Sequence, residues 1–408
     1  MKQDLFDGYR YFARWLLIST LCGIVIGLVG GAFGQSITFL TKFRNAHNEM
    51  IYFLPVAGLM IAFLYHFDHD HTGTNIILEG IQEGKKVPFL MAPLIIVSTI
   101  LTHAFGGSAG REGAALQLGA GISAQIGRLL KANDKDMKIF LMAGMSAGFS
   151  ALFGTPLTAT VFAMEVATVG SMNYSALFPC AVAALSAKAT ASFLGAQAET
   201  FEVLSGISLD IRNIAGIVFL AALCGLLSIL FCEMLHRTEH LAGKISSPYL
   251  RIFAGGCLIV LLSKLLNTTD YLGAGMNIIE EAVEGKVFFA AFLLKMVFTS
   301  ITLGTGYKGG EIVPSLFIGA TFGCLFGQIA GIPCSLCAVC GMTALFCSVT
   351  NCPIASLLLS FEMFGFDYMP FFLITVCVSY LLSGYGGLYH AQKHLFSKTE
   401  FTNYSDRS

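Results

Sequence analysis

The sequence predicts an all-α integral membrane protein built from two repeated halves, and three observations carry that prediction. Hydrophobic residues make up 55% of the 408 and charged residues only 12%, with a mean hydropathy of +0.73, which leaves too little polar surface for a water-soluble fold. One phrase occurs twice. GTNIILEGIQEGKK (73–86), an apolar run and GGSAGREGAALQLGAGISAQIG (106–127) are followed some two hundred positions later by GMNIIEEAVEGK (275–286), an apolar run and GTGYKGGEIVPSLFIGATFGCLFG (304–327). Finally, Gly and Pro repeatedly interrupt the apolar runs. Non-helical backbone at membrane depth survives only inside protein or beside a water-filled cavity, so an internal pathway is expected.

The runs follow in order: 12–34, 51–66, 88–105, 139–165, 174–194, 211–235, 250–266, 287–303, 311–349 and 352–388. A membrane core of about 30 Å needs about 20 helical residues, and most runs reach or approach that length. Breaks fall at Gly106–Gly113, Gly154–Pro156, Gly304–Pro314 and Asn351–Pro353, which makes some helices short of a full crossing. The first run is too long for a secretory signal and leads directly into the body of the chain. Arg10 and Arg14 before it, with Lys393 and Lys398 after the last, favour cytoplasmic termini, although Arg128, Lys131, Lys135 and Lys138 also cluster mid-chain. The halves are expected over 1–204 and 205–396, followed by an unstructured polar tail over 397–408.

Other features exclude function classes. A formal net charge of −1 implies neither nucleic acid nor a strongly acidic partner. Cys334, Cys337 and Cys340 stand three apart among apolar neighbours with no separate CxxC following, which suits buried small hydrophobes better than a metal site. GxGxxG over 304–309 lacks the soluble strand that a dinucleotide site requires. The loop HFDHDH offers His66, Asp68, His69, Asp70 and His71 either as metal ligands of a cation transporter or as an ordinary solvated turn. Neither a cofactor nor an enzymatic reaction is expected.

A carboxylate inside a membrane run is costly unless paired or functional, and four qualify: Glu112, Glu311, Glu165 and Glu362. Glu112 follows Gly107, Gly110 and Arg111 and opens a helix, where unpaired N–H groups and the dipole make an anion site. An ionised carboxylate can occupy that site and leave when protonated, a gate exchanging an anion for a proton; a capping Glu beside an Arg is the simpler alternative. Glu311 holds the matching position before IVPSLFIGATFG, with Pro314 suited to a first helical turn. It is either a second proton carrier or a partner of Lys308. Glu165 and Glu362 each lie nine residues after a proline, Pro156 and Pro353, and are expected to hold helices and cap backbone.

GGSAGREGAALQLGAGI resembles the signature of the CLC family of chloride channels and anion/proton antiporters. GGEIVPSLFIGATFG is similar to that family's second signature, and SGYGGLYHAQK to its late tyrosine segment. The resemblance covers nearly the whole chain. It implies a CLC-type fold of two inverted-topology repeats with tilted and half-spanning helices, assembled as a homodimer with one pore per subunit. It also implies anion contacts from Tyr389, from Gly110, Arg111 and Gly113 at one helix start, from Ile312 and Val313 at the other, and from Thr74 or Asn75 in the first loop. Glu112 would be the gate and proton carrier and Glu311 a second titratable relay. Met276, in the equivalent place of the second copy, is expected to play no direct role.

Departures from the family pattern point to a branch. Ala114 replaces the proline that follows Glu-Gly in ordinary chloride-selective members, Thr74–Ile77 replaces a Ser-Gly-Ile-Pro loop, and Val166 stands where familiar antiporters have an inner glutamate. Lys308-Gly309-Gly310-Glu311 in the second signature resembles the bacterial fluoride/proton antiporter branch, CLC-F. The expected activity is fluoride export in exchange for protons across the cytoplasmic membrane. Chloride/proton exchange or a passive chloride channel is the alternative on the same fold. Fluoride holds its water tightly, so its site must replace that shell with strong N–H and O–H donors.

Overall fold

The computed structural model describes residues 8–66, 73–201, 207–400, 402 and 404, together with the helical backbone of 2–7. Before 202, the helices run α1 (Lys2–Ala46), a 3₁₀ turn (Asn48–Phe53) leading into α2 (Leu54–Tyr65), α3 (Thr74–Glu83), α4 (Met91–Ala104), α5 (Glu112–Leu129), α6 (Asp134–Phe153), α7 (Pro156–Glu165) and α8 (Leu177–Phe193). After 206 the same succession recurs: α9 (Ile211–Gly243), α10 (Pro248–Leu266), α11 (Met276–Val283), α12 (Ala291–Gly304), α13 (Ile312–Ala330), α14 (Cys334–Thr350), α15 (Pro353–Phe364) and α16 (Met369–Leu382). Packing repeats with the order. Helix α1 lies on α6 and α8 as α9 lies on α14 and α16, while α7 and α15 meet across the halves.

Local chemistry sets the breaks. The Asn133 side chain caps α6 by accepting from Asp136 N, Gly154 closes that helix in the left-handed region, and Pro156 starts the next one. Asn351 does the same at φ 55° between α14 and α15, with Pro353 restarting the chain. Glycine stripes then let helices meet backbone to backbone. A Cβ on Gly119 would sit 2.0 Å from the Gly144 carbonyl oxygen, and one on Gly319 would sit 2.3 Å from that of Gly341, so α5–α6 and α13–α14 pack in the same way.

Seven helical stretches among the described residues are long and apolar enough to cross a membrane, and five shorter apolar helices accompany them. Several sequence expectations require correction. The runs 139–165, 311–349 and 352–388 each contain two helices, because Gly154, Gly331 and Gly365 take positive φ and end the first of each pair. Helix α1 extends well past 12–34 on both sides, its polar ends continuing the helix beyond the apolar stretch.

The described part of the tail is anchored rather than loose. Lys398 Nζ donates to Asn351 Oδ1 at 2.6 Å, the Ser383 hydroxyl at 3.0 Å and the Tyr380 carbonyl at 3.1 Å, and Tyr404 N reaches Leu395 O. A two-residue parallel strand pair, Thr168–Val169 with Lys393–His394, fastens the late segment to the first half. All twelve cysteines are free and nine are buried, Cys337 and Cys340 among them. Asp68, His69, Asp70 and His71 of the HFDHDH loop lie outside the described residues.

Candidate functional site

The two glycine-rich loops meet at the centre of the molecule. Gly110 N donates to Gly310 O and Gly310 N to Gly110 O, each at 2.7 Å. Only glycine permits this crossing, since a Cβ on Gly310 would lie 2.5 Å from Gly113 N. Immediately beyond it, α5 and α13 begin. Their first intrahelical bonds are Ala115 N to Arg111 O and Ser315 N to Glu311 O, so the amides of Gly113, Ile312 and Val313 precede the ladder and remain as helix-terminal donors.

Glu112 is 1% exposed and turns back on its own helix start: Oε2 accepts from Arg111 N at 2.9 Å and Oε1 lies 3.5 Å from Arg111 Nε. Arg111 is held in turn by Glu199 Oε1 at 2.7 Å, the Thr38 hydroxyl and the Gly34 carbonyl. Glu112 faces a cavity of about 320 Å³ that also presents Lys42, Arg44, Glu199, Asp270 and the Gly275–Met276–Asn277 start of α11. Met276 therefore lines the same cavity as the gating candidate.

Glu311 is the N-cap residue of α13 and faces a separate cavity of about 230 Å³. Thr74 and Asn75 at the start of α3, Gln117 of α5, and Tyr389 line it as well. The loops are thus exchanged: each acidic helix start of one half shares a cavity with the short-helix start of the other half. Gln117 Nε2 donates to Thr74 Oγ1 at 3.2 Å, which leaves the Thr74 O–H to donate elsewhere. Asn75 Oδ1 accepts from Ala391 N at 3.1 Å and so fixes the segment that carries Tyr389. The Tyr389 hydroxyl is buried and has no hydrogen-bond partner among the described residues. A buried donor without a partner asks for an explanation, and a bound acceptor supplies one.

Lys308 lies 4.4 Å over the Tyr65 ring and lines the same cavity. Glu165 and Glu362 line neither cavity. Glu165 accepts from Ile354 N and Ala355 N at the start of α15, and Glu362 accepts from Leu157 N, Thr158 N and the Thr158 hydroxyl at the start of α7. Each carboxylate caps the helix that carries the other.

Sequence reasoning missed Gln117, Glu199, Glu239, His236 and His390. Gln117 had a legible signal, a lone amide in the apolar run AALQLGAG. The others stand at helix ends or in a loop, where polar residues are ordinary.

The family model described as voltage gated chloride channel matches residues 58–384. A chloride/fluoride channel protein of Pseudomonas syringae pv. tomato is 34% identical over 97% of this chain and 90% of its own length. An H⁺/Cl⁻ exchange transporter of Vibrio cholerae is 27% identical over 85% of this chain and 81% of its own. Among solved structures, that of a CLC-type fluoride/proton antiporter superposes with a TM-score of 0.90 at 34% identity, covering 94% of this chain and 98% of that one. A slow cyanobacterial Cl⁻/H⁺ antiporter reaches 0.80 at 19% identity over 91% and 94%, a likeness of fold alone. This chain is a CLC-type multi-pass membrane protein and belongs to the voltage gated chloride channel family.

Proposed function

We propose that the protein is a secondary active transporter that exports fluoride in exchange for protons across the cytoplasmic membrane, as a homodimer of two halves-repeated subunits. The observation that carries this reading is the partnerless Tyr389 hydroxyl in the cavity that Glu311 and Thr74 also line. Tyr389 O–H, Thr74 O–H and the Ile312 and Val313 amides supply the strong, neutral donors that must replace the hydration shell of a small anion. The Asn75 oxygen and one Gln117 N–H are engaged within the wall, which leaves the Asn75 NH2 and the second Gln117 N–H to donate to the anion as well. At the other cavity Gly110, Arg111 and Gly113 present the second helix start, which Glu112 itself occupies. Glu165 and Glu362 serve structure in this reading.

Exchange follows from competition for the same amides. Ionised Glu112 holds the α5 start and excludes an anion; a proton on it cancels the charge that the helix start attracts, and fluoride replaces it. Reversal on the far side returns the proton, and Glu311 passes it along the pathway. A carboxylate next to bound anion favours its protonated form, which ties proton uptake to anion presence. The similarity to a structure described as a fluoride/proton antiporter supports this branch.

Chloride/proton exchange or passive conduction is the second reading, favoured by the hydroxyl at Thr74 and by the relative described as a chloride/fluoride channel. Efflux from proteoliposomes loaded with fluoride or with chloride, with external pH followed, separates them. Fluoride leaving fast, chloride slowly and protons moving the opposite way is the expected result. Comparable chloride flux, or fluoride flux without proton movement, overturns the proposal.

A further inference from the structure

We propose that His236 and His390 form a proton-loading pair that feeds Glu311 from the mouth of its cavity. His236 is half-buried near the end of α9, and His390, directly after Tyr389, is exposed. Their ring centroids are 3.9 Å apart with planes inclined by 36°. Both rings line the cavity that holds Glu311 and Tyr389, so one imidazole touches bulk water while its neighbour sits deeper along the same space.

Imidazole is the side chain whose ordinary titration, near about 6.5, falls in the neutral range. Two imidazolium ions at this separation repel, so the pair carries one proton at a time. The surrounding charges shape the path. From α9, Glu233 and Glu239 are the charged neighbours of His236, and Glu239 also lines the cavity. From the loop before α13, Lys308, Tyr307 and Glu311 face the same space, and Tyr389 lies next to His390 in the chain. Lys308 is the positive group in that set. It discourages a proton from resting as a cation deep in the cavity, whereas transfer to the Glu311 carboxylate removes charge from both groups.

The pair is held in place by both halves. Ala391 N is bound by Asn75, and Gln392 donates to the Val166 and Thr350 carbonyls, so the segment that follows His390 is fastened to both halves. Among the described residues the other cavity presents no pair of imidazoles. His103, which lines it, is 1% exposed, and its Nδ1 engages the Thr99 carbonyl at 2.9 Å, so it cannot load from water. In the proposed step His390 takes a proton from solvent on a ring nitrogen, the pair shares it, and an N–H bond is exchanged for an O–H bond on Glu311. Both imidazoles end neutral and the carboxyl is protonated.

The inference rests on Glu311 being a proton relay, and the test separates the two. Fluoride-driven proton movement is measured in proteoliposomes from about pH 5.5 to about pH 7.5, spanning the ordinary imidazole range, for the wild type, the double variant His236→Ala/His390→Ala and Glu311→Gln. Fluoride binding by calorimetry reports on folding. The double variant is expected to bind fluoride, to move protons about 100-fold more slowly, the lower end of what a positioned acid–base group contributes, to lose the inflection in its pH profile, and to recover with added imidazole. An unchanged rate and profile overturns the pair, as does a slow variant that binds fluoride and ignores imidazole, because that is the mark of a structural role. Retained coupling in Glu311→Gln overturns the relay reading itself, whatever the histidines do.

Discussion

Glu112 and Glu311 open matching helices at matching places in the repeat, yet the cavities in front of them are lined differently. Lys42, Arg44 and Arg111 surround the Glu112 cavity, with Glu199 bound to Arg111. Around Glu311 stand Lys308, Glu239, two histidines and the partnerless Tyr389 hydroxyl. Duplicated backbone gave both cavities the same skeleton of helix starts and glycine crossings; side chains then divided the work. In the proposed reading the Glu112 side attracts an anion and holds it off with a tethered carboxylate, and the Glu311 side strips the anion's water and supplies protons. The lesson is that a helix N-terminus is a generic anion site, and the residues within a few ångströms of it decide what the site does.

The sharpest way to break this division is to neutralise each carboxylate alone. Glu112→Gln and Glu311→Gln are each expected to cut fluoride-driven proton movement by about 100-fold, the lower end of what a positioned acid–base group contributes, as read by pH change outside proteoliposomes. Glu112→Gln with coupling intact would end the gating role. Next in size, Tyr389→Phe removes one donor to a charged acceptor and is expected to weaken fluoride binding by about 2 kcal/mol, roughly 30-fold, in calorimetry. If affinity stays at the wild-type value, the anion is not bound at this hydroxyl.

A third comparison concerns the caps that the halves exchange. Glu165→Ala and Glu362→Ala each strand backbone donors at a helix start, and each is expected to cost about 1.5 kcal/mol, seen as a lowered melting temperature in detergent. Similar losses would extend the symmetry of the halves to their energetics; a large difference would show where it fails. The smallest effect is expected from Thr74→Val, which keeps shape and removes the hydroxyl. About 1 kcal/mol, roughly fivefold in fluoride affinity, should disappear, with Thr74→Ser retaining it.

Much of the site was legible because a repeat announces itself. The glycine clusters before Glu112 and Glu311 marked helix starts at once, and Gly154–Pro156 and Asn351–Pro353 marked helix ends; that the two clusters cross at Gly110 and Gly310 came only with the fold. Glu165 and Glu362, nine residues after their prolines, were recognisable as a pair. That each caps the helix of the other was not, because spacing along one chain does not say which distant backbone lies opposite. The tail shows the same limit: a polar composition reads as loose, and only folding brings Lys398 to Asn351, Ser383 and Tyr380.

By itself the sequence determined the class, the duplication, the helix starts and the acidic residues placed at them, since composition, glycine and proline act through local backbone chemistry and the cost of charge in a membrane. The tertiary structure alone decided that the halves exchange their short-helix starts, so that Thr74 and Asn75 face Glu311 while Met276 and Asn277 face Glu112. It alone brought His236 of α9 against His390, which lies over 150 positions away. These are contacts between distant segments, set by how the helices pack, and packing depends on the whole set of facing surfaces rather than on any one stretch of chain.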